Sequence, residues 1–306
     1  MRFVTAEYMQ EQFVGVVNEE GTKVLHVRQA EKAITGKSSY PSSLLDCIAA
    51  GEDFIEQINA LLDRIVSDKN AETFYLPIEE VTLLAPIPKP VKNIFCVGKN
   101  YVEHAIEMGS ADDIPEHILV FTKAPTTVIG PNTAVLNQQN VTSQLDYEGE
   151  LAVIIGKKGR AIKREDALDY VFGYSIINDI TARDLQERHK QFFIGKSLDT
   201  SCPMGPWIVH KSLVENPNQL DILTKVNGEV RQSSNTKNFI FPIEEIISVL
   251  SAGMTLEPGD IIATGTPAGV GKGLKPPKFL QPGDQIEITI DKLGTLANTV
   301  MIEKES

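Results

Sequence analysis

The chain is poor in cysteine, with Cys47, Cys96 and Cys202 the only three in 306 residues. They are odd in number and far apart, and none falls in a CxxC or Cys/His spacing. Neither a disulfide framework nor a structural zinc site is supported, and a reduced, cytoplasmic setting fits. No apolar run approaches ~18 residues, so no membrane span is expected. The first residues, Met1-Arg-Phe-Val-Thr-Ala-Glu7, carry an acid and no apolar h-region, so no signal peptide is expected either. There is no basic block: 29 Lys and Arg against 41 Asp and Glu give 29 − 41 = −12. An acidic chain repels phosphate backbones, which argues against a nucleic-acid partner. It also means that an acidic substrate needs a local positive site. Repeats and low-complexity tracts are missing. No GxSxG elbow surrounds Ser197 or Ser201. The glycine-rich stretch Thr264-Gly-Thr-Pro-Ala-Gly-Val-Gly-Lys-Gly273 is no P-loop, since Thr266 stands where the first Gly is needed and Gly273 where Ser or Thr is. It is not GxGxxG, because the last position is Leu274. Nucleotide binding is disfavoured, and carboxylate binding through backbone N–H groups stays open.

What is present divides the chain in two. The length suits one large domain and a smaller one. Residues 1–85 read as a small α+β domain. Phe13-Val-Gly-Val-Val17 and Lys23-Val-Leu-His-Val27 suggest a hairpin, and residues 42–50 and 52–66 have helical spacing. Residues 86–90, Pro-Ile-Pro-Lys-Pro, form a stiff connector. From 91 to 306 the pattern is mostly short strands with Gly/Pro turns. The strands are expected over 93–97, 118–122, 150–155, 171–178, 207–210, 222–226, 260–264 and 285–290, with helices over 181–190 and 243–251. No regular βα alternation occurs, so the fold class is α+β, predominantly β.

The acidic residues Asp146, Glu148 and Glu150 alternate just before the apolar run Leu151-Ala-Val-Ile-Ile155. On a strand, period two puts all three on one face. Like carboxylates at the edge of a core repel each other, and a hard divalent cation with a taste for oxygen ligands removes that cost. A solvated acidic strand end is the competing reading. Asp179 ends an apolar strand and either joins this cluster or caps the following helix. His104 and Glu107 stand i,i+3, side by side if helical, which suits a general-base pair between nearby glycines; a surface helix pair is the plainer alternative. Lys123 and Lys196 lie in apolar or glycine-flanked surroundings and could supply positive charge, with Arg183 and Gln186 helping from the helix after Asp179. Lysines snorkelling at strand edges would look the same.

Together these pieces resemble the fumarylacetoacetate hydrolase family. The matching elements are Gly98-Lys-Asn-Tyr101 with His104 and Glu107, Asp146-Tyr-Glu-Gly-Glu-Leu-Ala152, Asn178-Asp-Ile-Thr-Ala-Arg-Asp184, Gly195-Lys-Ser197, Val226-Asn-Gly-Glu229 with Arg231-Gln232, and Gly259-Asp-Ile-Ile-Ala-Thr-Gly-Thr-Pro-Ala-Gly-Val-Gly271. They stand in the family's order over roughly residues 91–300. The resemblance implies a mixed β-roll or sandwich around a metal site, usually in a homodimer, with one Mg2+ or Mn2+ per chain. It implies a ligand triad at Glu148, Glu150 and Asp179 and a lid pair at His104 and Glu107. Substrate-side lysines would be Lys123 and Lys196, with Lys196 acting in catalysis. The anion loop would span 264–271 and include Gly265 and Thr266. The N-terminal part, Ser197-Leu-Asp-Thr200 and Lys275-Pro-Pro-Lys278 are also similar to bacterial members with oxaloacetate decarboxylase activity. The implied chemistry is metal-dependent cleavage of a C–C bond in a small 2-keto acid. Decarboxylation of oxaloacetate ranks first and acylpyruvate or fumarylacetoacetate-type hydrolysis second. Hydration or isomerisation of dienoic keto acids follows, and a keto-acid-binding protein without turnover is the reading from another class.

Overall fold

In the computed structural model, which describes residues 1–68 and 71–302, the N-terminal strands Arg2–Tyr8 (β1), Glu11–Val17 (β2) and Lys23–His26 (β3) form an antiparallel meander. Helices Val27–Thr35 (α1), Leu44–Ala49 (α2) and Glu52–Val66 (α3) follow. Ser43 caps α2 by accepting the Asp46 N–H, and α1 stops at Gly36 in the left-handed region. Tyr75–Pro77 (β4) pairs with β3 and Thr82–Leu83 (β5) with β1. The expected hairpin, α2 and α3 are present. The sequence reading missed α1, which starts where the hairpin's second strand was expected to continue.

The remainder begins with Ile94–Gly98 (β6), Val102–Glu107 (α4), Leu119–Lys123 (β7), Val128–Ile129 (β8) and Ala134–Leu136 (β9). Leu145–Asp146 (β10), Gly149–Ile155 (β11), Val171–Asn178 (β12) and Thr181–Ala182 (β13) come next. They lead to Arg183–His189 (α5), Phe193–Lys196 (α6) and Cys202–His210 (β14). The chain then forms Asp221–Val226 (β15), Glu229–Asn235 (β16), Ile243–Gly253 (α7), Ile261–Ala263 (β17), Gln285–Ile290 (β18) and Gly294–Met301 (β19). The helix expected over 181–190 starts two residues later, because Thr181 and Ala182 pair with β10.

One large sheet runs β4-β3-β2-β1-β14-β12-β11-β17-β6-β7, and a five-stranded sheet runs β16-β15-β18-β19-β9. The junction β1–β14, with Arg2 opposite Val209, makes the N-terminal strands an extension of the main sheet. The central strands β11 and β12 are buried at every position, as strands covered on both faces must be. Leu151, Val153 and Ile155 face the five-stranded sheet and α7, packing with Ile222, Ile288 and Ile247. Ala152 and Ile154 face the other way, onto Phe54, Ile58 and Ile65 of α3. Each such aliphatic side chain contributes about 1.5–3 kcal/mol on burial. The result is a sandwich whose central strands end at one polar locus. Among the described residues no helix is long and apolar enough to cross a membrane.

Candidate metal centre

The polar locus lies where β11 begins and β12 ends. The carboxylates of Glu148, Glu150 and Asp179 are all buried, with one oxygen from each lying within 4.8 Å of the others. Local backbone pairing holds them there: Asp179 N–H donates to Glu148 O at 2.8 Å, and Glu148 N–H to Asn178 Oδ1 at 3.0 Å. Gly149, between the two glutamates, is required by packing. A Cβ there would stand 2.4 Å from Thr224 Oγ1 of the five-stranded sheet.

Asp146 is not a third partner on that face. The strand breaks at Tyr147 and Glu148, and Asp146 turns to Arg183 Nε at 2.9 Å and to the N–H groups of Gly271 and Lys272 at 2.7 and 3.0 Å. The period-two argument holds only inside a continuous strand, and this one is interrupted. Asp179, from the end of the neighbouring strand, completes the cluster instead.

Cations hold the cluster in place. Arg183 Nη1 lies 2.7 Å from Glu148 Oε1, and Lys196 Nζ lies 2.6 Å from Glu148 Oε2 and 2.7 Å from Asp179 Oδ2. Lys123 Nζ lies 2.8 Å from Asp179 Oδ1, but it is not aligned for a hydrogen bond to that oxygen; its bonds go to Ile180 O and Lys196 O. Asp179 Oδ1 therefore stays a buried carboxylate oxygen with a charged neighbour and no hydrogen bond. Such an atom, inside a set of three hard oxygen donors, fits a divalent cation such as Mg2+ or Mn2+. Four carboxylates (Asp146, Glu148, Glu150, Asp179) against three cations (Lys123, Arg183, Lys196) leave 3 − 4 = −1. One divalent ion brings that to −1 + 2 = +1, the local positive site that an acidic chain needs for an anionic substrate.

The two glutamates differ in protonation. Burial pushes the Glu148 carboxyl up, but Lys196 and Arg183 overcome it and hold it down to about 2. Burial, then Asp179 and Glu148, push Glu150 well above the carboxylate range, with only Lys196 and the Gly265 N–H, 2.7 Å away, pulling back. Of the two glutamates, Glu150 is thus the one that takes up a proton first as pH falls. A cation binds the ionised carboxyl, so metal affinity rises with pH through the range in which Glu150 loses its proton, and uptake within that range releases protons. Calorimetric titration of Mn2+ in two buffers of different ionisation enthalpy measures this directly; a buffer-independent heat would refute it.

A cavity of about 240 Å³ opens onto the cluster. Its wall includes Glu148, Glu150, Lys196, Arg183, Gln186 and Thr266, as well as His104 from α4. His104 Nδ1 lies 3.2 Å from Glu107 Oε2, and Glu107 Oε1 accepts the Gly269 N–H at 2.8 Å. The i,i+3 pair is therefore real and is pinned to the glycine-rich loop. Gly269 has φ +105, and a Cβ there would stand 1.9 Å from Arg231 O, so only glycine serves.

Two expected substrate contacts are placed elsewhere. Lys123 sits behind Asp179 and does not form part of the cavity wall, and the Gly265 N–H is spent on Glu150. The loop does present N–H groups to anions, but those anions are Glu150, Glu107 and Asp146 of the chain itself. Thr266 is buried in the cavity wall, its hydroxyl accepting from Gln232 Nε2 at 2.7 Å and donating to Gly149 O at 2.9 Å. Sequence reasoning missed Lys99 and Lys272, which also line the cavity, and the apolar wall of Val97, Met108, Phe121 and Phe192. Lys99 and Lys272 lay inside stretches already singled out, yet nothing in periodicity distinguishes a cavity lysine from a surface one.

The chain matches the family model "Fumarylacetoacetate (FAA) hydrolase C-terminal" over residues 93–301. It is 57% identical to the oxaloacetate tautomerase YisK of Bacillus subtilis over 302 residues, covering 98% of this chain and 100% of that one. Among solved structures it resembles a fumarylacetoacetate hydrolase from Exiguobacterium antarcticum, with a TM-score of 0.83 and 42% identity over 99% of this chain and 100% of that one. A maleylpyruvate hydrolase from Sphingobium, solved with manganese(II) and pyruvate, matches with a TM-score of 0.77 and 31% identity over 99% and 100% of the two chains. On the extent of these matches, the chain belongs to the fumarylacetoacetate hydrolase family.

Proposed function

We propose that the chain is a metal-dependent enzyme that interconverts the keto and enol forms of oxaloacetate. The observation that carries this reading is the buried triad Glu148, Glu150 and Asp179, whose two glutamates line a small cavity together with His104. The tautomerase name of the relative at 57% identity moves enolisation ahead of the decarboxylation expected from sequence.

Enolisation needs a base for the proton on C3 and stabilisation for the charge that grows on the keto oxygen. A divalent ion held by Glu148, Glu150 and Asp179 would supply the second as a Lewis acid. The chain supplies the rest. Glu107 accepts from His104 Nδ1, which places the ring proton there and leaves Nε2 free to take a proton. Lys196 pairs with Glu148 and Asp179 and holds them in place, and the cations of Lys272 and Lys99 at the cavity wall meet a second carboxylate. The apolar side of the wall excludes water, which strengthens each of these interactions.

Decarboxylation is the second reading, favoured by that same apolar wall. A carboxylate pressed on Phe121 and Phe192 is desolvated and leaves more easily as neutral carbon dioxide.

One experiment separates the two. Loss of the oxaloacetate enol, followed by ultraviolet absorbance, and release of pyruvate, followed by a coupled NADH assay, are measured on the same samples. Each is run with Mn2+, with chelator and without protein. Chelator-sensitive acceleration of enol loss without matching pyruvate is the expected result. Pyruvate keeping pace with enol loss would give the reaction to decarboxylation, and enol loss at the protein-free rate would end the tautomerase reading.

A further inference from the structure

A second cavity, of about 310 Å³, lies in the N-terminal part of the fold, far along the chain from every residue of the metal centre. Its wall includes His26, Arg28, Gln29, Lys32, Ser38 and Ser42. His26 is 4% exposed, and its ring stacks on Phe13 with centroids 4.2 Å apart and planes 7° from parallel. Its Nδ1 accepts the Gln29 N–H at 3.3 Å, capping α1. A ring nitrogen that accepts carries no proton, so the neutral ring is protonated on Nε2. Burial lowers the pKa of His26, against the pull of Glu11, and so keeps the ring neutral. Nε2 is buried and has no hydrogen-bond partner among the described residues. An unmade buried donor is costly, and an acceptor atom supplied from the cavity would remove that cost.

The charge around this donor selects the acceptor. Arg28 reaches only Ser38 Oγ, at 3.3 and 3.2 Å, and neither Arg28 nor Lys32 forms an ion pair among the described residues. Against the single acid Glu11 in the wall, the cavity carries 2 − 1 = +1 in a chain of −12. The first turn of α1 adds the positive end of a helix dipole. A solvated basic helix face would account for Arg28 and Lys32, but it has no use for a buried imidazole with an unmade bond.

We propose that this cavity binds a small metabolite carrying a carboxylate or phosphate group, with Arg28 and Lys32 meeting the anion and His26 Nε2 donating to one of its oxygens.

The test is equilibrium dialysis of the metal-free full chain at fixed ionic strength, with labelled inorganic phosphate in one arm and labelled malonate in the other. The tighter-bound probe identifies the group. Three proteins are compared: the natural chain, an Arg28→Gln/Lys32→Gln double variant and Glu148→Gln. Arg28 and Lys32 reach solvent, so the double variant leaves the packed His26 and the fold alone. The expected result is one anion per chain, weakened about tenfold or more in the double variant, which loses both charge-assisted contacts, and unchanged in Glu148→Gln. Binding that survives undiminished in the double variant would place the anion elsewhere, the metal centre included, and overturn the proposal. Failure of both probes to bind at millimolar concentration would overturn it as well.

Discussion

Replacing Arg183 by Ala lowers folding stability by about 3–5 kcal/mol, the cost of breaking a buried ion pair from one side. Arg183 is 1% exposed and divides its guanidinium between Asp146, through Nε at 2.9 Å, and Glu148, through Nη1 at 2.7 Å. Without it two buried carboxylates lose their shared cation. Asp146 keeps the N–H groups of Gly271 and Lys272, and Glu148 keeps Lys196, so the loss stops short of two separate buried charges. Lysine is a poor rescue, since one ammonium cannot reproduce a fork aimed at two acids. Denaturant unfolding of the metal-free proteins provides the measurement, and a loss under about 1 kcal/mol would show that Arg183 does not hold the site together. Acid gives an internal check. The Glu148 carboxyl is held down to about 2 in the folded chain. Its folded-state pKa is depressed, so its ion-pair stabilisation is present above the ordinary carboxylate range and lost as pH falls towards 2. The difference between Arg183→Ala and the natural chain should shrink over that interval. Saturating Mn2+ should recover part of it at neutral pH, because a ligand that binds only the folded chain adds stability by mass action.

The residues of that site were unevenly legible in the sequence. Glu148 and Glu150 stand out because alternating acids directly before the apolar run Leu151-Ala-Val-Ile-Ile155 fit either a metal site or a solvated strand end, and burial decides for the first. His104 and Glu107 were legible because i,i+3 on a helix is a local relation, and α4 forms it. Asp146 was misplaced because the break after it depends on Gly149 packing beneath Thr224 and Ile288, residues far along the chain. The glycine-rich loop was read correctly as a set of anion donors, but spacing cannot say which anion takes them. Three of those N–H groups hold Glu150, Glu107 and Asp146. Likewise the helical spacing of 42–50 and 52–66 gave α2 and α3, while the joining of β1 to β14 is a pairing across some two hundred residues that no local pattern announces.

His104→Ala should slow enol–keto interconversion by about 10²–10⁴-fold, the usual contribution of a positioned general base. The imidazole is 5% exposed, lines the cavity and is oriented through Nδ1 by Glu107, so its Nε2 is the proton acceptor that the cavity offers. The size of the effect depends on the reaction. Enolisation breaks a C–H bond and requires a base in the step that sets the rate. Decarboxylation breaks a C–C bond and calls on His104 only afterwards, to return a proton to C3. A variant that loses enolisation but releases pyruvate at the natural rate would therefore place His104 on the tautomerase path alone. A variant that keeps both rates would remove it from the chemistry. Metal affinity provides the control, since His104 is outside the carboxylate triad and Mn2+ binding should be unchanged. Glu107→Gln should fall between the two proteins. Its single amide oxygen can serve Nδ1 or the Gly269 N–H but not both, and it removes the negative charge beside the imidazolium that forms when Nε2 takes a proton. A partial loss of rate with the same metal affinity would be the signature of a ring still in place without its charged partner. A loss as large as that of His104→Ala would instead point to a displaced ring.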